Sequence, residues 1–220
     1  MMDQNNDKMK KTAALFDLDG VVLDTESQYS LFWGEQGRKY HPEIPDFDQV
    51  IKGQTLAQIY DRYFADVPQE QPLITEALNR FEQEMEYAYI PGAQEMLRFL
   101  QEKGVPTALV TSSNDLKMAA VRRAHPELES YFSVWVTADR VKHSKPHPEC
   151  FLLGAQLLGK EPAECVVFED SFHGLAAGRA AGMEVVALAT TKPAAELEGR
   201  ADLIIPDFAQ CPPAELWGRL

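Results

Sequence analysis

Cysteine is scarce in this chain of 220 residues: Cys150, Cys165 and Cys211 are the only three, widely scattered and without a C-x-x-C pair. An odd, dispersed set excludes a disulfide framework and a cysteine-based zinc site. It leaves incidental or buried thiols, which suit a reducing compartment such as the cytoplasm. Long apolar runs are missing as well, and no stretch approaches the roughly 20 residues of a membrane-spanning helix. The run Ala13–Phe16 behind the polar segment Met1–Lys11 is too short for the core of a signal peptide. Met1–Lys11 reads instead as a disordered tail. Positive charge is in short supply: 21 Lys and Arg face 34 Asp and Glu, a formal net charge of −13. Nucleic-acid binding rests on basic side chains neutralising phosphates, so that class is disfavoured. An acidic surface is otherwise ordinary for a soluble enzyme. Internal repeats and low-complexity segments are absent too.

What is present is enough apolar material for a packed core, 45% hydrophobic against 25% charged residues. Short β-rich runs alternate with segments of helical period. Strands are predicted at Thr12–Phe16, Thr107–Val110, Val134–Thr137, Cys165–Phe168, Val185–Ala189 and Leu203–Ile205. Between them Ala93, Met96, Leu97 and Leu100 share a helical face, as do Phe151, Ala155 and Leu158. Leu175–Ala181 is an Ala/Gly-rich helix, and Gly104, Gly159 and Gly182 stand where helices should stop. This alternation predicts a doubly wound, Rossmann-like parallel α/β sheet. Thr25–Tyr89 breaks the rhythm. It shows no strand and reads as helices at Ser27–Arg38, Leu56–Phe64 and Leu73–Ala88, closed by the breaker Ile90-Pro91-Gly92. The expected organisation is a core domain of residues 1–24 and 91–220 with an all-helical cap domain, 25–90, inserted over the carboxyl edge of the sheet, where ligands of open α/β sheets bind.

Polar residues gather at the ends of the predicted strands. Asp17-Leu18-Asp19-Gly20 follows Ala13–Phe16, so two carboxylates leave a buried strand beside a residue suited to a tight turn. Buried charge needs neutralising, and a cation with an anionic substrate would do it. Thr111-Ser112-Ser113-Asn114 follows Ala108–Val110 and opens a helix, a natural place for phosphate oxygens. Lys145 sits in the rigid loop Ser144-Lys145-Pro146-His147-Pro148, and Glu169-Asp170-Ser171 follows Val166–Phe168. Singly, each has an ordinary explanation: Asp19 a turn-former, Asp170 or Thr111 a helix cap, Lys145 a solvated lysine. Together, each at a strand end of one alternating fold, they point to phosphoryl chemistry.

The chain resembles the haloacid dehalogenase superfamily of hydrolases, in the branch of phosphoglycolate phosphatases and β-phosphoglucomutases. The likeness rests on Asp17-Leu18-Asp19-Gly20-Val21, on Thr111 within Val110-Thr111-Ser112-Ser113, on Lys145 within Lys145-Pro146-His147-Pro148, and on Glu169-Asp170-Ser171. It covers nearly the whole core, and the family's helical cap falls where the helical insert lies here. The resemblance implies that Asp17 is a nucleophile forming an aspartyl-phosphate and that Asp19 is the general acid, then base. It implies Mg²⁺ held by the Asp17 and Asp170 carboxylates and the Asp19 carbonyl, with Glu169 behind a metal-bound water. Thr111, Ser112, Lys145 and the Gly20 amide would bind the transferring oxygens. The family's dehalogenases need neither the second acid nor the metal, so the pair Asp17 and Asp19 disfavours dehalogenation.

The resemblance says less about substrate. Mutases of the branch carry a cap His shortly after the first motif and an Arg after a Lys-Gly pair. Here Tyr29 stands near the former position, and Lys52-Gly53 is followed by Gln54-Thr55-Leu56. Glu26, Tyr29 and Gln54 are the substrate-recognition candidates, with Trp33, Lys52 and Arg80 as weaker ones and Trp33 with Phe32 also fitting a cap core. His173 fits a helix start, and His143 and His147 read as solvated, with no zinc spacing. The expected activity is Mg²⁺-dependent hydrolysis of a small phosphate ester, such as a sugar phosphate, by a monomer with neither a nucleic-acid nor a membrane partner. A β-phosphoglucomutase-like mutase is the alternative. A non-catalytic phospho-acceptor, similar to a signalling receiver domain, is a third reading, against which the Asp-x-Asp loop, the insert and the length all argue.

Overall fold

The computed structural model describes residues 10–220. In chain order its elements are β1 (Ala13–Phe16), β2 (Leu23–Asp24), α1 (Glu26–Tyr40), α2 (Phe47–Val50), α3 (Leu56–Tyr63), α4 (Gln71–Glu84), β3 (Ala88–Tyr89), α5 (Ala93–Glu102), β4 (Thr107–Val110), α6 (Asp115–Ala124), α7 (Leu128–Tyr131), β5 (Val134–Val136), α8 (Glu149–Leu158), β6 (Cys165–Glu169), α9 (Phe172–Ala180), β7 (Glu184–Leu188), α10 (Ala194–Leu197), β8 (Leu203–Ile205) and α11 (Pro213–Arg219). Six strands form one sheet in the order β5-β4-β1-β6-β7-β8, and every pairing in it is parallel. Residues of β1, β4, β6 and β7 are buried on both faces, as parallel sheets covered by helices require. That is why these strands stand out as unbroken apolar runs. The chain winds outward from β1 to β4 and β5, then crosses back to β6 and on to β8. The strand order therefore reverses beside β1 and β6, and a crevice opens at their carboxyl ends.

The doubly wound parallel sheet is the one the alternation predicts, with small shifts at strand ends. One shift has a clear cause: β7 starts at Glu184 rather than Val185, and Glu184 is buried with its Oε2 3.4 Å from Lys11 Nζ. Lys11 also donates to the Ala163 carbonyl at 2.7 Å. The expected tail at residues 1–9 lies outside the described residues, and Lys11, which that expectation included, is a buried part of the fold. All three cysteines are buried free thiols. Among the described residues no helix is long and apolar enough to cross a membrane.

The insert is helical and has its own apolar cluster, Phe32, Trp33, Phe47, Ile51, Ile59, Phe64, Ile74 and Leu78, separate from those on the two faces of the sheet. Two details correct the sequence reading. The helix expected to run to Ala88 ends at Glu84, where Met85 turns extended (φ −70°, ψ 154°). The chain then pairs Ala88 and Tyr89 antiparallel with Asp24 and Leu23, so the insert enters and leaves through a two-residue ladder. The four-residue α2 was not foreseen either. Neither element is long enough to display a period.

Candidate active site

The crevice is built first by the turn after β1. The amides of Val21, Val22 and Leu23 all donate to the Leu18 carbonyl, at 3.4, 2.8 and 2.9 Å. This folds the loop back and leaves Asp17 and Asp19 at the carboxyl edge. Gly20 has φ +75°, and a Cβ there would lie 2.1 Å from Asp170 Oδ2. The turn therefore needs glycine both for its left-handed backbone and for the closeness of Asp170. One expectation fails here. The Gly20 amide donates to the Leu23 carbonyl at 2.8 Å, so closing the turn uses the N–H that was assigned to phosphate.

Carboxylate oxygens of Asp17, Glu169 and Asp170 lie within 4.8 Å of one another, all three residues buried. Lys145 Nζ, 3% exposed, bridges two of them at 2.7 Å from Asp17 Oδ1 and 2.7 Å from Glu169 Oε1. Glu169 is further held by the amides of Asp170 and Ser171, at 2.8 and 2.9 Å, and by the Ser171 hydroxyl at 3.0 Å. Asp170 accepts from the Thr191 hydroxyl. Burial pushes Asp17 up to about 7; Lys145 pulls it down, and Glu169 and Asp19 push it further up. Burial opposes the Lys145 cation, but Asp17 and Glu169 outweigh it and raise Lys145 above the ordinary lysine range. Asp170 is raised well above the ordinary carboxylate range by burial and by Glu169, Glu26 and Asp17, opposed by the Thr191 hydroxyl. A buried set of hard oxygen donors, with Asp170 relieved by no cation among the described residues, fits a small divalent cation.

Asp19 sits at the rim of this cluster and is held by four contacts. Thr25 Oγ1 donates to Oδ1, Ser113 Oγ donates to Oδ2 at 3.1 Å, and Lys117 Nζ lies 2.5 and 2.6 Å from the two oxygens. A cavity of about 450 Å³ extends from Asp17 and Asp19 to the helical insert, where Glu26, Tyr29, Lys52, Gln54 and Glu82 line it. The insert contacts the rest of the fold there: Gln58 Nε2 donates to the Lys145 carbonyl at 3.2 Å, and the Lys52 carbonyl lies 3.4 Å from His173 Nδ1. Glu26 pairs with Lys52 at 3.1 Å, and burial raises it despite that lysine. Tyr29 donates to Glu82 Oε1 at 2.7 Å, and burial, then Asp19 and Glu82, raise its phenol well above the ordinary range.

The first, third and fourth motifs thus meet at one point, and Ser112 of the second lines the cavity with them. Thr111 is buried just outside the cavity lining and accepts the Ser113 amide at 3.0 Å, a bond that does not use its own hydroxyl proton. Arg80 does not join the site; it is exposed on the helical insert and pairs with Glu76 at 3.0 Å. Trp33 serves both the insert's apolar cluster and the cavity wall. The His143 and His147 rings lie 4.7 Å apart, tilted by 47°, outside the acidic cluster. Sequence reasoning missed Lys117, Glu82, Thr25 and Thr191, and it read Ser113 within the phosphate-binding motif, whereas its hydroxyl donates to Asp19. For Lys117 a signal exists. It lies in the first turn of α6, where the helix end is already positive and a lysine is unfavourable unless an acid compensates it.

The haloacid dehalogenase-like hydrolase family model matches residues 11–182. The chain belongs to that family of enzymes. It is 36% identical over 186 residues to hexitol phosphatase A of Escherichia coli, covering 82% of this chain and 84% of that protein. It is 33% identical over 183 residues to the phosphorylated carbohydrates phosphatase of Thermotoga maritima, covering 78% and 82%. Its fold matches the crystal structure of β-phosphoglucomutase from Clostridium difficile with a TM-score of 0.74 at 24% identity, over 91% of this chain and 93% of that one.

Proposed function

We propose that this hydrolase is a Mg²⁺-dependent phosphatase for a small phosphorylated sugar or polyol, working through an aspartyl-phosphate on Asp17, with residues 25–90 as its cap. The observation that carries this reading is the grouping of Asp17 with Asp170, Glu169 and Lys145 at the floor of a cavity that also contains Asp19. The kinship to two carbohydrate-phosphate phosphatases supports the substrate class.

Asp17 attacks phosphorus while Asp19 gives a proton to the departing alkoxide as the phosphorus–oxygen bond breaks. Asp19 then takes a proton from the water that attacks the aspartyl-phosphate, and inorganic phosphate leaves. Lys145 orients Asp17 and, with Ser112 and the Thr111 hydroxyl, meets the transferring oxygens. The Asp17 and Asp170 carboxylates and the Asp19 carbonyl would hold Mg²⁺, with Glu169 behind them. When bound, the ion offsets the repulsion between the Asp17 carboxylate and the phosphate dianion. The closed cap keeps bulk water from the acyl phosphate.

A mutase must shuttle a proton to a second sugar hydroxyl. Tyr29, at the cap position nearest the expected histidine, has its phenol raised and hydrogen-bonded to Glu82, which makes it a poor base. Phosphate release measured with Mg²⁺ on hexose, hexitol, glycerol and glycolyl phosphates tests the reading. Hydrolysis concentrated on hexose or hexitol esters is expected. Isomerisation of β-glucose 1-phosphate without phosphate release would overturn it.

A further inference from the structure

Lys117 is almost wholly enclosed, 2% exposed, and belongs to none of the four motifs. Packing alone does not call for a charge in that place. An ammonium in the first turn of a helix opposes the helix dipole, and enclosing it away from water costs more. The local chain nevertheless builds the position with care: Asn114 caps α6 by accepting the Lys117 amide at 2.9 Å, which fixes the start of the side chain. Its Nζ then lies within 2.6 Å of both Asp19 oxygens and 4.6 Å from the centre of the Tyr29 ring. Tyr29 on α1 is tied in turn to Glu82 on α4. A core helix therefore presents one cation to the acid of the first motif and to an aromatic face of the cap at once.

We propose that Lys117 is a positioning residue for Asp19: it orients the carboxyl group for proton delivery to the leaving alcohol and makes that orientation depend on Tyr29 and the seated cap. This rests on the phosphatase reading above. Two charge-assisted contacts to one carboxylate fix its plane. Thr25 and Ser113 add one hydroxyl donor to each oxygen, without the cation's charge. Proton transfer from Asp19 to the ester oxygen accompanies formation of the Asp17–phosphorus bond and cleavage of the phosphorus–alkoxide bond. Its importance depends on how poor a leaving group the alcohol is.

Leaving-group dependence separates this role from a structural one. The parameter kcat/KM reports on steps through aspartyl-phosphate formation, so the later hydrolysis common to all esters drops out. Compare a hexitol phosphate, whose alkoxide needs a proton, with p-nitrophenyl phosphate, whose phenolate does not, in wild type, Lys117→Met, Asp19→Asn and the double variant. Lys117→Met should lower kcat/KM for the alkyl ester about 100-fold, the scale of a general acid, and for the aryl ester by less than about threefold. The double variant should be no worse on the alkyl ester than Asp19→Asn alone, because Lys117 acts through Asp19. Equal losses on both esters, or additive losses in the double variant, would overturn the proposal. Should Lys117→Met fail to fold, Lys117→Gln carries the same comparison. A wild-type chain inert on both esters with Mg²⁺ would instead overturn the phosphatase reading, and this inference with it.

Discussion

Asp17 and Gly20 are three positions apart and bear on the same charge problem. Gly20 leaves room for Asp170, because a methyl group at its Cα would fall 2.1 Å from Oδ2 and 2.8 Å from Thr191 Oγ1. Gly20→Ala must therefore displace Asp170 and hold alanine at φ +75°. Left-handed strain alone is worth roughly 1–3 kcal/mol. Urea unfolding should show a loss of that size or more, together with weaker Mg²⁺ binding by calorimetry. A variant that keeps wild-type values for both would show that Asp170 does not depend on the turn. Asp17→Asn makes the opposite case. The change is nearly isosteric, removes a carboxylate that burial disfavours, and leaves Lys145 paired with Glu169. It should abolish turnover and phosphate release while the metal-free thermal midpoint stays level or rises. Appreciable residual turnover would sink Asp17 as nucleophile. At this scale the motif residues were legible because each ends a buried strand and lacks an apolar reason to be there. Lys117 was not, since a lone lysine on a helix is ordinarily solvated; its place in a helix's first turn is a weak signal that its partner Asp19 explains.

Elements differ in how openly they announce themselves. β1, β4 and β6 were legible to within a residue because burial on both faces leaves continuous apolar runs, and the positive-φ glycines 104, 159 and 182 mark helix ends where the pattern stops. The ladder of β2 and β3 was silent, because its register exists only between segments more than 60 residues apart and each strand is two residues long. The start of α9 shows how an element and the site constrain each other. Glu169 closes β6, accepts the next two amides and lies over the first turn, so a Cβ at Gly174 would sit 1.6 Å from its Oε1. Gly174→Ala should force Glu169 away from Lys145 and leave a buried ion pair broken. Losses of that kind run to roughly 3–5 kcal/mol. Denaturant unfolding of Gly174→Ala beside Gly218→Ala, a helical glycine with open space around its Cα, checks this. Equal stability of the two variants would refute the claim that Glu169 organises the helix start.

At the scale of the whole molecule the buried acids make stability depend on pH and on the cation. Asp17 moves from about 3.8 in the unfolded chain to about 7 in the fold, and Asp170, Glu26 and Glu82 are raised as well. A group with a raised folded pKa binds more protons when folded, so Asp17 makes the metal-free protein lose stability as pH rises through that interval, and the other three act in the same direction. One proton is worth about 1.4 kcal/mol per pH unit. The acids shifted the other way, Glu43, Glu127, Glu149 and Glu164, are ionised in both states above pH 5.5 and do not enter. Lys145 stays charged throughout. The metal-free chain should therefore melt at a higher temperature at pH 5.5 than at pH 7.5. Mg²⁺ at the proposed site would bind the ionised acids, so it should raise the midpoint more at pH 7.5 than at pH 5.5. The net charge of −13 adds self-repulsion that also grows with pH, so the slope alone does not identify the source. Asp17→Asn supplies the control, because it removes one titrating group and leaves the rest of the acidic surface intact. Its metal-free midpoint should fall less steeply between pH 5.5 and 7.5, and its response to Mg²⁺ should be small at both. A slope and a Mg²⁺ response identical to wild type would place the pH dependence on the surface and remove Asp17 from the cation site.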